Sequence, residues 1–465
     1  MNFYAFIAPA ATSDALALRW PLADHSIDLT FGQLARQVEA ARQALLSHNI
    51  QAGDVGMVAL PVSPQAMVVT LALMAEGAIP LVPPARMTLA QWRLTRKKYK
   101  IKAIVADQNP PWKIRLLCLL SGLKLLRITT MSVSSSFRPP VEVTDQQAAL
   151  ITFSSGSTGR PKAIERSHAV LTQQHRAILE LFPAQAGQLD FLLFPNILLH
   201  NLAAGISTVL PRLPGFQLDQ LQPDVILSQI QQEGVHTLTG NVFYFTKLVN
   251  YAVQHGIKLP AVEAVGVGGS PVPELLLRQL QQVFLSASIY VIYGSSEAEP
   301  IAVRKFTKPQ DPLLGYAVGE IHPWLEWKLV SADPREKDVG ELWVKGPHVV
   351  VPFGKEWFAT GDIGYVQDNQ LVLTARRGNE AVVGGKQHYQ LEHYLQHLPG
   401  VSRAAAVVNG PAFDISYEGV TTIHVVRASL EQVIAPHRIK TIRLIDQLPV
   451  DRRHHSKILY HQLPK

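Results

Sequence analysis

The chain has 465 residues, of which 47% are hydrophobic and 17% charged. That excludes a disordered protein and is too long for one ordinary core, so a large domain of two or three sub-cores plus something smaller is expected. The 43 basic and 36 acidic residues leave +7, a mild basicity that suits an anionic small ligand without demanding nucleic acid. The single cysteine, Cys118, excludes an intramolecular disulfide framework and points to the cytoplasm.

The N-terminal stretch "MNFYAFIAPAATSDALALRW" lacks a basic region ahead of its apolar residues, so it does not read as a signal peptide. "LTFGQLARQVEAARQALLSHNI" carries helical apolar spacing, with Thr30 placed to cap the helix opening. The uncharged run from Val55 to Ala75 is interrupted by Pro61, Ser63, Pro64 and Gln65, which divides it into a strand, "VGMVAL", and a helix rather than a membrane span. Next come "AIPLVP", a basic helix around "WRLTRKKYK" and the strand "AIVAD". This alternation fits parallel strands with crossover helices in an α/β fold with layered mixed sheets. The basic run from Arg93 to Lys102 reads as a solvated helix face, and "IRLLCLLSGLKLLRI" is too short and too basic to span a membrane.

A serine- and proline-rich surface connection, Met131 to Gln147, leads into "ITFSSGSTGRPK". There "AALITF" enters as a buried strand and "AIERSHAVLTQQHRAIL" leaves by helix after a turn. Between them Ser154, Ser155, Ser157 and Thr158 offer hydroxyls. Gly156 and Gly159 let backbone N–H groups converge on one point, and Lys162 supplies positive charge. The loop is suited to an anion, although its spacing fits neither the P-loop nor the dinucleotide fingerprint.

Downstream, Gly269 and Ser270 lie in "GVGGSPVP", and Tyr293, Gly294, Ser295, Ser296 and Glu297 lie in "YGSSEAEP". Tyr293 can offer a ring face to a purine, and Glu297 can hold Mg²⁺ through carboxylate oxygen. Asp362, in the glycine-flanked "WFATGDIGY", reads as a turn whose exposed carboxylate accepts both hydroxyls of a ribose. The chain changes character at "LTARRGNEAVVGG", so domains are expected over 1–375 and 376–465, the second a small α+β domain, for which the resemblance given below implies mobility.

These segments, in this order, resemble the AMP-forming adenylate-forming superfamily of acyl-CoA synthetases, peptide-synthetase adenylation domains and luciferases. "FSSGSTGRPKA" is similar to its phosphate loop, "GVGGSPVP" to its adenine turn and "YGSSEAEP" to its Tyr-Gly-x-Thr-Glu segment, with Ser296 replacing the threonine. "PVDRRHHSKI" stands where the near-terminal catalytic lysine belongs.

The resemblance implies ATP and Mg²⁺ as cofactors, with Thr158 and Glu297 toward the metal. It implies Lys457 as the catalytic cation, His200 beside the acyl carboxylate and Arg376 as the hinge-side arginine. The implied reaction converts a carboxylic acid to an acyl-adenylate with release of pyrophosphate, followed by transfer to the thiol of CoA or of a carrier protein's phosphopantetheine.

Gly378 occupies the usual hinge position, and the lysine and tyrosine-arginine pattern after the hinge is missing. "RRGNEAVV" with "RHHSKI" is more similar to the β-lactone synthetase branch, in which an adenylated β-hydroxy acid closes on its own hydroxyl. A non-catalytic adenylate- or acyl-binding homologue is the reading from another class, opposed by the joint presence of Lys162, Glu297, Asp362 and Lys457. No motif that reads nucleic acid accompanies the basic residues. No aspartate near the expected pocket offers itself to an α-ammonium, so an acyl or aryl acid is expected over an amino acid.

Overall fold

The computed structural model describes residues 1–22, 25–84, 87–110, 112–127, 137–154, 162–193, 197–213, 216–331, 338–351, 354–451 and 455–464. It comprises two compact units, Met1–Gln220 and Leu221–Lys465.

The first unit carries strands β1 (Leu16–Pro21), β2 (Ser26–Thr30), β3 (Val55–Ala59), β4 (Ile79–Leu81), β5 (Ala103–Ala106), β6 (Lys124–Arg127), β7 (Ala148–Ser154), β8 (Lys162–Ser167), β9 (Leu189–Leu192) and β10 (Ser207–Val209). Its helices are α1 (Phe31–Ser47), α2 (Pro64–Ala75), α3 (Leu89–Tyr99), α4 (Trp112–Ser121), α5 (His168–Leu181) and α6 (Leu198–Ala204). A sheet of order β6-β5-β3-β4-β7-β8 is parallel except for its last pair. Strands β9, β10 and β1 also run parallel, and β2 pairs with β1 antiparallel.

Local chemistry explains the helices. Thr30 caps α1 in a reciprocal box with Gln33, and Ser63 with Pro64 opens α2. Helix α2 is apolar on every side because Val68, Val69, Leu71, Ala72, Leu73, Met74 and Ala75 are all enclosed. The uncharged run is thus a core strand and helix. Part of the serine- and proline-rich connection is pinned: buried Arg42 donates to the Arg138 and Pro139 carbonyls, and Arg138 pairs with Glu39 and Glu76.

The second unit contains β11 (Thr237–Asn241), β12 (Ala264–Gly268), β13 (Ser288–Ser295), β14 (Ala298–Lys305), β15 (Tyr316–Ile321), β16 (Glu326–Val330), β17 (Gly340–Lys345), β18 (Phe358–Gln367) and β19 (Gln370–Arg376). Further on lie β20 (Val401–Asn409), β21 (Ala412–Gly419) and β22 (Ile439–Leu444). Helices α7 (Pro223–Glu233), α8 (Val242–Gln254), α9 (Glu274–Val283), α10 (His388–Leu395) and α11 (Ile423–Leu430) complete it. Strands β11, β12 and β13 are parallel neighbours joined through α8 and α9, and the sheet continues antiparallel as β14-β15-β19-β18-β17-β16.

The boundary expected at 375/376 falls inside this unit, at the end of β19. Beyond it β20, β21 and β22 enclose a core of their own, built on Leu391, Phe413, Ile415, Tyr417 and Leu430. Helix α10 is seated by His393, whose ring stacks on Tyr316 at 4.4 Å and whose Nε2 accepts the Glu274 N–H at 3.1 Å. Among the described residues no helix is long and apolar enough to cross a membrane.

Candidate active site

Parallel strands deliver their carboxyl ends to one edge, where loops gather functional groups. In the second unit Gly268 ends β12 opposite Ile292 of β13. A Cβ on Gly268 would lie 2.3 Å from the Ile292 carbonyl oxygen, so only glycine lets the strands approach. Gly269 follows with φ +81°, and Ser270 comes next, its hydroxyl buried and without a hydrogen-bond partner among the described residues.

Tyr293, one residue past Ile292, stands beside that turn. A register shift between Tyr293 and Ser295 marks a bulge, and a Cβ on Gly294 would lie 3.0 Å from the Ala298 carbonyl oxygen. Ser295 faces Ala298 across the hairpin, its hydroxyl also buried and unpartnered among the described residues; Ser296 and Glu297 form the tip. The Glu297 carbonyl accepts the Val350 N–H at 2.7 Å.

Asp362 lies within β18, opposite Arg376 of β19, and is 8% exposed. This corrects the reading of an exposed turn. The glycines that suggested a turn serve a bulge: Gly361 has φ +78°, and a Cβ on Gly364 would lie 2.1 Å from the Val372 carbonyl oxygen. One Asp362 oxygen accepts the Tyr293 hydroxyl at 2.8 Å and the other accepts Arg376 Nη1 at 2.6 Å. A carboxylate has roughly four acceptor positions, so about two remain for a diol.

Burial, and then the Asp362 charge, push the Tyr293 phenol well above its ordinary range, so it stays a donor. Arg376 is held more firmly protonated, chiefly by Asp362. The adjacent Arg377 pairs with Glu341, whose other oxygen accepts the Gly361 N–H at 3.0 Å.

Lys457 occupies a loop closed on Asp451. The Lys457 N–H donates to Asp451 Oδ1 at 3.1 Å, and the Asp451 N–H donates to the Lys457 carbonyl at 2.9 Å. Val450 bridges Ile458 beneath it. The ring of His455 lies 5.2 Å from that of Phe243, near the start of α8 just past β11. The lysine-bearing loop therefore reaches the same carboxyl-end edge as Ser270 and Tyr293.

A buried junction that the sequence reading missed fixes the loop's far side. The Arg376 N–H donates to His388 Nε2 at 3.0 Å, which leaves the proton on Nδ1 to donate to Glu392 at 2.9 Å. Glu392 also accepts the Ala406 N–H at 2.9 Å and the Tyr460 hydroxyl at 3.0 and 2.9 Å. One carboxylate thus ties the end of β19, helix α10, strand β20 and the segment after Lys457 together. The only sequence signal was the i,i+4 spacing of His388 and Glu392.

In the first unit β7 and β8 pair antiparallel with Ser154 opposite Lys162. The two ends of the serine-glycine loop are thereby held side by side; Ser155, Gly156, Ser157, Thr158 and Gly159 lie outside the described residues. The helix expected after the loop is preceded by strand β8 and begins only at His168. His200, on α6, is buried in an aromatic cluster, stacked on His175 at 5.8 Å with Phe3 edge-on at 6.4 Å. Burial first, then His175 and Arg166, lowers its pKa to about 3, and burial lowers that of His175 to about 4. Both rings are neutral at physiological pH, and the sequence reading had not singled out His175.

The sequence profile of AMP-binding enzymes matches residues 6–351. The chain belongs to the AMP-binding enzyme family. It is 23% identical to an olefin β-lactone synthetase of Stenotrophomonas maltophilia over 96% of this chain and 94% of that one. It is also 24% identical to a 4-coumarate–CoA ligase-like protein of Arabidopsis thaliana over 82% of this chain and 73% of that one. Among solved structures, the AMP complex of the O-succinylbenzoate–CoA synthetase of Bacillus subtilis superimposes with TM-score 0.79 at 17% identity, covering 100% of this chain and 98% of that one. ATP-bound MatB of Rhodopseudomonas palustris gives 0.80 at 19% identity, covering 99% and 97%.

The residues of this AMP-binding enzyme fit a nucleotide. Two buried hydroxyls, Ser270 and Ser295, lack partners among the described residues beside a tyrosine ring and a partly unsaturated carboxylate, which suits a purine nucleoside's polar groups. A single hairpin-tip carboxylate, Glu297, suits Mg²⁺, which keeps most of its waters and shares phosphate oxygens. The metal would neutralise phosphate charge there.

Proposed function

We propose that this adenylate-forming enzyme activates a fatty or other acyl or aryl carboxylic acid with ATP and passes the acyl group to a thiol. One observation carries the reading: the Lys457 loop rests against the start of α8, at the same strand edge as the Tyr293–Asp362–Arg376 cluster. Asp362 holds the ribose through its remaining lone pairs, Tyr293 and the Gly269–Ser270 turn flank the base, and Arg376 reaches the ribose or phosphate. Ser154, Lys162 and the loop between them hold the phosphates, with Thr158 and Glu297 toward the metal.

A carboxylate oxygen attacks the α-phosphorus as the bond to the bridging oxygen breaks, and pyrophosphate leaves with that electron pair. Lys457 balances the charge that grows on the phosphoryl oxygens, while neutral His200 lies at the acyl carboxylate without adding charge. In the second step a thiolate sulfur of CoA or of a carrier protein attacks the acyl carbon, and AMP leaves. The resident compartment is the cytoplasm, where both nucleotide and thiol are supplied.

A second reading is favoured by the "RHHSKI" tail and by the near full-length match to olefin β-lactone synthetases. There a β-hydroxyl oxygen of the same acyl group attacks the carbonyl and closes a lactone as AMP leaves and the hydroxyl proton passes to solvent. Acid-dependent exchange of pyrophosphate into ATP tests the shared first step, and mass analysis of products with and without CoA separates the second. Thioester formation supports the thiol reading; lactone formation without CoA replaces it.

A further inference from the structure

Helices α3 and α4 of the first unit form a surface that the proposed activity leaves unused. Helix α4 packs inward through Ile114, Leu117 and Cys118, yet its outward side is apolar as well. Leu119 is 78% exposed, Leu120 77% and Trp112 69%, and Leu89 on α3, which lines the groove between the two helices, is 60% exposed. Exposed aliphatic side chains concentrated on two adjacent elements mark an interaction site. The Arg96 guanidinium donates to the Ser121 carbonyl at 2.6 Å and joins the two helices, between which runs an open groove of about 650 Å³.

The charge along this stretch is equally uneven. Between Arg86 and Arg127 the chain carries 11 basic residues and one acidic, Asp107, a surplus of ten against +7 for the whole protein. The rest of the molecule is therefore net acidic, and neither helix contains an acidic residue. Arg93, Lys97 and Lys100 line the groove itself.

We propose that this face docks on an anionic phospholipid bilayer, with α4 lying in the interface. Leucines and a tryptophan beside a cationic flank are the composition of an interfacial helix. A protein partner is disfavoured, because protein interfaces are depleted in lysine and draw little of their binding energy from leucine. Nucleic acid has no use for exposed leucines. Leu119 and Leu120 enter the acyl boundary, and the α3 cations meet lipid phosphates.

The test is cosedimentation of the full chain with phosphatidylcholine vesicles, and with vesicles that also contain phosphatidylglycerol. Binding to the anionic vesicles is expected, at least about tenfold tighter than to neutral ones and lost in about 0.5 M salt. L119Q together with L120Q weakens it about tenfold or more, and R93E together with K97E removes the anionic preference. All variants keep the melting temperature and the pyrophosphate exchange of the wild type. Brominated lipid quenches the wild-type fluorescence, and Trp112→Phe removes that quenching. Equal binding to both vesicles, no binding, or binding indifferent to these substitutions overturns the proposal. So does concentration-dependent self-association, or capture of an acidic carrier protein, that is abolished by the same changes while vesicles stay unbound.

Discussion

Replacing Tyr460 with phenylalanine removes one hydroxyl from the junction behind the Lys457 loop and leaves the ring in place. That hydroxyl donates to Glu392 at 3.0 and 2.9 Å, and burial with the Glu392 charge keeps it protonated far above its ordinary range. A hydrogen bond to a charged group contributes about 1.5–3 kcal/mol, and each 1.4 kcal/mol is about tenfold in an equilibrium. The ratio of seated to unseated tail then falls by about 10- to 150-fold. None of the strand-borne groups around Tyr293 is touched, so ATP-dependent pyrophosphate exchange should lose about tenfold or more in kcat with KM for ATP within about twofold. Amide hydrogen exchange of the segment after Pro449 should accelerate in the same variant. Unchanged kcat, or a rise in KM for ATP with kcat intact, would refute the assignment of this junction as the support of Lys457.

Other substitutions probe other links. Gly268→Ala forces a Cβ to within 2.3 Å of the Ile292 carbonyl; spreading β12 from β13 should cost about 1–3 kcal/mol in urea unfolding and weaken ATP binding in calorimetry. Asp362→Asn leaves one oxygen for two donors, so about 1–3 kcal/mol of stability and at least about tenfold in ATP affinity should go; equal affinity would contradict the ribose assignment. The neutral His175 and His200 take up protons only when the chain unfolds, since their pKa values are lowered to about 4 and about 3. Stability is therefore full above the unfolded histidine range near 6.5 and falls as pH drops from there toward 4, by about 1.4 kcal/mol per pH unit for each ring. His175→Phe should flatten that slope in urea melts at pH 7 and pH 5.

Much of the scaffold was readable from local chemistry. The Thr30 cap, the Ser63–Pro64 helix start and the alternation of short apolar runs with helices each follow from a few neighbouring residues. The glycines of "GVGGSPVP" and "YGSSEAEP" marked real close approaches of backbone. The misreadings came where distant strands decide. Lys162–Ser167 is a strand because β7 pairs with it, and Asp362 is buried because β19 supplies Arg376 opposite it. The Glu392 junction includes a direct bond across 68 positions of sequence, to Tyr460, and the stacking of His175 on His200 depends on how two helices pack. Beyond the i,i+4 spacing of His388 and Glu392, neither leaves a periodic trace.

The central claim is that a cation carried by the C-terminal loop acts on an acid's attack at the nucleotide phosphorus. Its most direct test is acid-dependent pyrophosphate exchange by wild type and Lys457→Ala, with ATP affinity measured on both. The wild type should exchange only when its acid is present, and the variant should lose at least about a hundredfold in rate while binding ATP within about threefold. Equal exchange by the two proteins, or a wild type that binds ATP and exchanges with no acid tested, would contradict it.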